Sequence, residues 1–150
     1  AAAEWRRRRI GGYRYQAHDP QSGAPWPTMP AEFLALADEA ATAAGFGNFS
    51  PDACLINRYE PGTKLSLHQD KDEASYAHPI VSVSLGLPAI FQFGGPKRSD
   101  PVRRVALKHG DVVVWGGSSR LFHHGVLTLK NGEQPMTGAR RFNLTLRKAL

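Results

Sequence analysis

From Ala53 to Arg147 the chain is a succession of short β-rich runs, each closed by a turn signal, and this rhythm constrains the fold more than any other feature. The runs are Ala53–Tyr59, Leu65–Asp70, Ile80–Gly86, Ala89–Gly94, Val102–Leu107, Asp111–Trp115, Leu121–Leu127 and Ala139–Arg147. Pro61-Gly62, Gly94-Gly95-Pro96, His109-Gly110-Asp111 and Asn131-Gly132 punctuate them. Ahead of the strands lies one good helix, Ala31 to Ala44. Pro30 starts it, Phe33, Leu34 and Ala37 share a face, and Gly45 closes it. Eight short strands behind one helix predict a mainly β protein, a double-stranded β-helix (jelly roll, cupin-like), with the N-terminal helix packed outside. Four prolines between Asp19 and Pro30 predict an ordered loop without regular structure.

At 150 residues the chain is expected to be a single domain with a real core. Its single Cys54 excludes an internal disulfide, is expected to pack as a small apolar residue, and makes a reducing cytoplasm the default location. The chain opens with no charged-then-apolar leader, which argues against secretion. The most apolar stretch, Ile80 to Phe93, is broken by Ser82, Ser84, Gly86, Pro88 and Gln92, so no membrane span is expected. A net charge of +6 favours a polyanionic partner. The charge is concentrated in the Arg6 to Arg9 run and the pairs Lys97-Arg98 and Arg103-Arg104. Trp5, Tyr13, Tyr15 and Trp26 are interleaved with it, the mixture of stacking and phosphate neutralisation that binds single strands.

Two patterns carry chemistry. Strand side chains alternate between faces, so Arg141, Asn143, Thr145 and Arg147 share one face, while Phe142, Leu144 and Leu146 share the other. A polar row with a fixed cation at each end, backed by an apolar row, suits a carboxylate-bearing ligand held against a core. His68 and Asp70 are likewise spaced to present metal-donor atoms on one side. With a further histidine they would form the two-histidine, one-carboxylate set of non-haem Fe(II) oxygenases. His123 and His124 compete for the third place, and spacing does not choose between them. A single cysteine disfavours structural zinc, and His18, His78 and His109 fall in loop-like sequence.

Six motifs together resemble the AlkB family. They are Asn57-Arg-Tyr59, Leu67-His-Gln-Asp-Lys-Asp-Glu73, Val81-Ser-Val-Ser-Leu-Gly86, Phe91-Gln-Phe-Gly-Gly95, His109-Gly-Asp-Val-Val-Val-Trp-Gly-Gly117 and Arg141-Phe-Asn-Leu-Thr-Leu-Arg147. The resemblance runs from about Tyr13 to Arg147. It implies an oxidative demethylase that uses Fe(II), 2-oxoglutarate and O2 to repair N-alkylated bases such as 1-methyladenine and 3-methylcytosine. Formaldehyde, succinate and CO2 would be released. The implied partner is alkylated DNA, single strands favoured, with RNA as a second class, and the implied state is a monomer.

By the same resemblance, His68, Asp70 and His124 hold the iron, His124 being the histidine directly before Gly125. Asn57, Arg58, Tyr59, Arg141, Asn143, Thr145 and Arg147 form the 2-oxoglutarate pocket, with Arg141 on the distal carboxylate and Arg147 on the one near the metal. Trp5, Tyr13, Tyr15, Asp72 and Arg98 contact the substrate, Asp72 through the exocyclic amino group of the base, and Trp115 lines the approach. The family carries further strands ahead of this resemblance that build a nucleotide-recognition lid. Residues 1–30 are therefore expected to be the remnant of a truncated lid and its loop, and residues 31–150 the dioxygenase core. Two other readings remain: an oxygenase acting on another substrate, and a non-catalytic nucleic-acid-binding module on the same scaffold.

Overall fold

A computed structural model describes residues 2–3 and 15–150. The helix α1 spans Ala31–Ala43. It follows Pro30, whose fixed φ favours a helix start, and stops where Gly45 takes a positive φ of 87°. Residues 15–30, directly before it, form an irregular loop, fastened by Trp26 Nε1 donating to the Gln16 carbonyl at 2.9 Å.

Nine strands are described: β1 (Ala2–Ala3), β2 (Ala53–Tyr59), β3 (Leu65–His68), β4 (Ile80–Gly86), β5 (Ala89–Phe93), β6 (Arg103–Leu107), β7 (Val112–Trp115), β8 (His124–Val126) and β9 (Arg141–Arg147). They form two sheets, ordered β1-β2-β9-β4-β7 and β3-β8-β5-β6. Apart from the short parallel pairing of β1 with β2, all pairs are antiparallel. The eight expected strands are all present, and each sheet takes four of them in the alternation of a jelly roll. β1 was not expected.

Six of the predicted strands are shorter than their sequence runs, and two of these differences bear on the cleft. β3 ends at His68, so Asp70 lies beyond the strand rather than on it. The run Leu121–Leu127 contributes only His124–Val126, because a 3-10 turn at Gly117–Ser119 bends the preceding chain and Phe122 N donates back to Ser119 O at 3.0 Å.

Burial follows the alternation of β9, the middle strand between β2 and β4. Leu144 and Leu146 face outward into an apolar layer with Cys54, Val81, Val83 and the α1 residues Ala37 and Ala41. A second cluster, including Tyr59, Phe91, Leu107, Trp115 and Val126, fills the space between the sheets. Cys54 is buried and its thiol is pushed up to about 11 by burial, which the positive charge of Arg147 only partly offsets. Among the described residues no helix is long and apolar enough to cross a membrane. Leu146 is completely buried. Leu146→Ala should lower unfolding free energy by about 2–5 kcal/mol, read as a shifted urea midpoint with an unchanged slope.

Candidate metal and 2-oxoglutarate site

The inner faces of β2, β9, β4 and β7 meet those of β3, β8, β5 and β6 across a cleft with about 460 Å³ of open space. Its composition follows from strand parity. Asn57 and Tyr59 line it from β2, and Arg141, Asn143, Thr145 and Arg147 from β9. Arg58, between Asn57 and Tyr59, faces the other way. Its side chain is 62% exposed and sits 3.6 Å from Glu60, so it does not join the pocket residues with which it was grouped.

His68 and His124 are brought together because they are paired in register across β3 and β8. The shift that puts them opposite each other depends on Gly125: a Cβ there would stand 2.6 Å from the Leu65 carbonyl. With Asp70 they form a cluster whose ligand atoms all lie within 4.8 Å of one another. His68 Nε2 is 3.5 Å from Asp70 Oδ1, and His124 Nε2 is 3.4 Å from Oδ2. Each ring's Nδ1 is engaged by a carbonyl, that of Ser66 at 2.9 Å for His68 and that of Phe122 at 3.0 Å for His124. With Nδ1–H donating there, both Nε2 lone pairs are turned to the centre, the tautomer that a metal requires. His123 points away, its Nδ1 lying 3.2 Å from the Gly95 carbonyl.

Burial alone would raise the Asp70 carboxyl, but the adjacent His124 and His68 rings and the Arg147 charge outweigh it and hold the group far below the ordinary carboxylate range. His68 is correspondingly raised: burial opposes the charged ring, and Asp70 more than compensates. Three donors on one side with a protected carboxylate fit a divalent first-row metal and leave coordination positions open.

The two arginines of β9 differ. Arg147 is buried and donates to Asp70 Oδ2 at 3.0 Å, Glu73 Oε1 at 2.8 Å and the Tyr15 hydroxyl at 2.8 Å, its Nε alone lacking a partner. Burial lowers its pKa, and the Asp70, Tyr15 and Glu73 charges raise it further than burial lowers it. Arg141 is 2% exposed and donates only to Ser84 Oγ, at 2.9 Å, leaving Nε and Nη1 without partners. A buried cation with two unused donors costs several kcal/mol unless an anion meets it. A second carboxylate arriving from the cleft would supply that anion, so the residues fit 2-oxoglutarate. Burial raises the Tyr59 phenol, keeping it a neutral donor beside Arg141.

Sequence reasoning missed the partners of this row. Asn143 Nδ2 donates to Ser82 Oγ at 2.8 Å and to the Val83 carbonyl at 3.0 Å, and Thr145 Oγ1 donates to Asn143 Oδ1 at 2.8 Å. The signal was Ser82 and Ser84, spaced two apart in an otherwise apolar strand. Glu73, which is fully buried, looked like one more charge beside Lys71 and Asp72. Trp115 is buried in the cleft wall, its ring 4.8 Å from that of His124. Tyr15 lies at the cleft through Arg147, whereas Asp72 and Arg98 are exposed. Burial and the neighbouring Glu73 and Asp70 charges raise the Asp72 carboxyl. Trp5, Tyr13 and the Arg6–Arg9 run lie outside the described residues.

The sequence profile of the 2OG-Fe(II) oxygenase superfamily matches residues 1–147. The chain belongs to this superfamily. It is 62% identical over 138 residues to the alpha-ketoglutarate-dependent dioxygenase AlkB of Salmonella typhimurium, covering 92% of this chain and 64% of that protein. With its Escherichia coli counterpart the identity is 65%, with the same coverage. An AlkB homolog of Caulobacter vibrioides is 44% identical over 92% of this chain and 61% of its own length. The chain thus spans under two thirds of the length of these relatives. Among solved structures, that of OsALKBH1 superposes with a TM-score of 0.79 at 35% identity, covering 89% of this chain and 72% of the other.

The third member of the donor set can be checked directly. His124→Ala should weaken binding of Mn(II), a stand-in for Fe(II), to a level that calorimetry no longer detects. His123→Ala should leave it within about twofold of the original, since that ring turns toward Gly95.

Proposed function

We propose that this chain is a DNA oxidative demethylase, an Fe(II)- and 2-oxoglutarate-dependent enzyme that removes N-alkyl groups such as those of 1-methyladenine and 3-methylcytosine. The observation that carries the reading is one cleft holding both a His-Asp-His donor set and a buried guanidinium with unused donors. The names of the Salmonella and Escherichia relatives support the same chemistry.

His68, Asp70 and His124 would hold the iron. Arg141 would take the distal carboxylate of 2-oxoglutarate and Arg147 the one nearer the metal, with Asn57, Tyr59, Asn143 and Thr145 completing the pocket. When bound, iron with 2-oxoglutarate and O2 supplies the oxidising power: the co-substrate leaves as succinate and CO2, and the N-methyl group is hydroxylated and lost as formaldehyde. The protein's own part is to orient and to exclude water. The His68 and His124 tautomers are fixed by carbonyls, and Trp115, Phe91 and Leu107 make the wall apolar.

The substrate we infer is alkylated DNA, single strands favoured, with RNA as a second class. A damaged base already weak in pairing costs least to extract. Asp72 would accept a hydrogen bond from its exocyclic amino group, and Arg98, Tyr15, Tyr13 and Trp5 would hold the nucleotide. Exposed Lys97, Arg98, Arg103 and Arg104 supply phosphate-binding charge. In this reading residues 31–150 are the dioxygenase core, residues 1–30 serve nucleotide recognition, and the enzyme works as a cytoplasmic monomer.

Mass spectrometry of a methylated oligonucleotide incubated with the chain, Fe(II), ascorbate and 2-oxoglutarate tests the reading. Loss of a methyl mass is expected, and an unchanged oligonucleotide would refute it. Asp72→Ala should slow demethylation while sparing decarboxylation of 2-oxoglutarate without substrate, and equal loss of both would remove Asp72 from base recognition. Arg141→Gln should weaken 2-oxoglutarate about ten- to hundredfold by calorimetry, since charge-assisted hydrogen bonds contribute about 1.5–3 kcal/mol each.

A further inference from the structure

Arg120 follows the 3-10 turn Gly117–Ser119, and nothing in its sequence setting marks it. It is 2% exposed, and each of its three nitrogens faces an oxygen. Nε donates to the His78 carbonyl at 3.1 Å, and Nη1 donates to the Asp70 carbonyl at 2.8 Å. Nη2 stands 3.1 Å from Glu73 Oε2, an ion pair rather than an aligned hydrogen bond. The Tyr76 ring lies over the guanidinium at 5.5 Å, and its hydroxyl donates to the Lys71 carbonyl at 2.8 Å.

These contacts have a common geometry. Asp70 and His78 are the two ends of one loop, Glu73 is its buried middle, and Tyr76 is its cover. The loop is therefore wrapped around a single guanidinium. It carries a donor of the metal cluster in Asp70, the base-reading candidate Asp72, and in Glu73 the carboxylate that also engages Arg147. Gln69 adds a second tie to the same segment, donating to the Leu121 carbonyl at 2.6 Å. Charge also balances: Arg120 and Arg147 face Asp70 and Glu73, so a four-member buried network is neutral without a ligand.

We propose that Arg120 is a positioning residue that sets the place of the metal-binding carboxylate Asp70 by pegging both ends of the Asp70–His78 loop. The proposal rests on the reading of His68, Asp70 and His124 as the metal ligands. Lysine cannot replace the peg, because it keeps the charge for Glu73 but lacks a planar fork that reaches two carbonyls and a carboxylate at once.

The test is Mn(II) affinity by calorimetry on the purified full chain, without 2-oxoglutarate or substrate, with folding followed by circular dichroism. Arg120→Lys should stay folded and bind Mn(II) about 10–100-fold more weakly, the usual cost of losing support behind a ligand. Tyr76→Ala, a surface change, should weaken it about two- to fivefold through the lost contact with the guanidinium. Phe49→Leu, in the outer apolar layer away from the cleft, should lower the denaturation midpoint and leave Mn(II) affinity unchanged. Unchanged affinity in a folded Arg120→Lys overturns the proposal. If that variant does not fold, unchanged affinity in Tyr76→Ala overturns it. Equal weakening in Phe49→Leu also overturns it, by showing that affinity merely tracks stability. Failure of the original chain to bind Mn(II), or binding indifferent to Asp70→Ala, would remove the metal reading itself.

Discussion

Two guanidinium groups buried on the middle strand of a sheet set the conditions that the rest of the molecule satisfies. Removing such a cation from water is costly unless carboxylates or a full set of acceptors surround it. At one end of β9 the problem is solved internally: Arg147 meets Asp70, Glu73 and Tyr15. At the other end it is solved only in part, since Ser84 takes one donor of Arg141 and two remain. The first arginine already faces two carboxylates, whereas the second, with no ion pair among the described residues, stores an unmet demand for an anion. The opposite face of the strand then has to be apolar, which is why Leu144 and Leu146 need the layer that α1 covers.

Much of this was legible because a strand has a period of two. Arg141, Asn143, Thr145 and Arg147 fall on one face by arithmetic, and the structure shows all of them buried at the cleft. The same arithmetic separates Asn57 and Tyr59 from Arg58, so grouping Arg58 with the pocket ignored a rule that the sequence already supplied. Parity could also have flagged Ser82 and Ser84. It could not have chosen between His123 and His124, because the choice depends on the register of β3 against β8. Nor could it reveal Glu73 and Arg120, whose meaning lies in contacts made 47 residues apart along the chain, from 73 to 120.

The cleft combines two kinds of rigidity. Its floor is regular sheet, with side chains fixed by cross-strand partners such as Asn143 on Ser82. Its rim is irregular chain, starting where β3 stops at His68 and held by side chains rather than by a ladder. Leaving the ladder after His68 lets Asp70 approach His124 while Asp72 remains at the surface. A strand that continued through Asp72 would have tied both carboxylates to one straight line.

The lone thiol has a practical consequence. Cys54 is sealed behind the sheet that carries the cleft, and burial keeps it as the unreactive thiol at neutral pH. The native surface is therefore blank to maleimides and other thiol reagents. A single cysteine introduced at an exposed position such as Met136, which is 79% accessible, becomes a unique attachment point for a spin label or fluorophore. Distances from that label to a paramagnetic ion in the cleft can then be read without first removing a native cysteine.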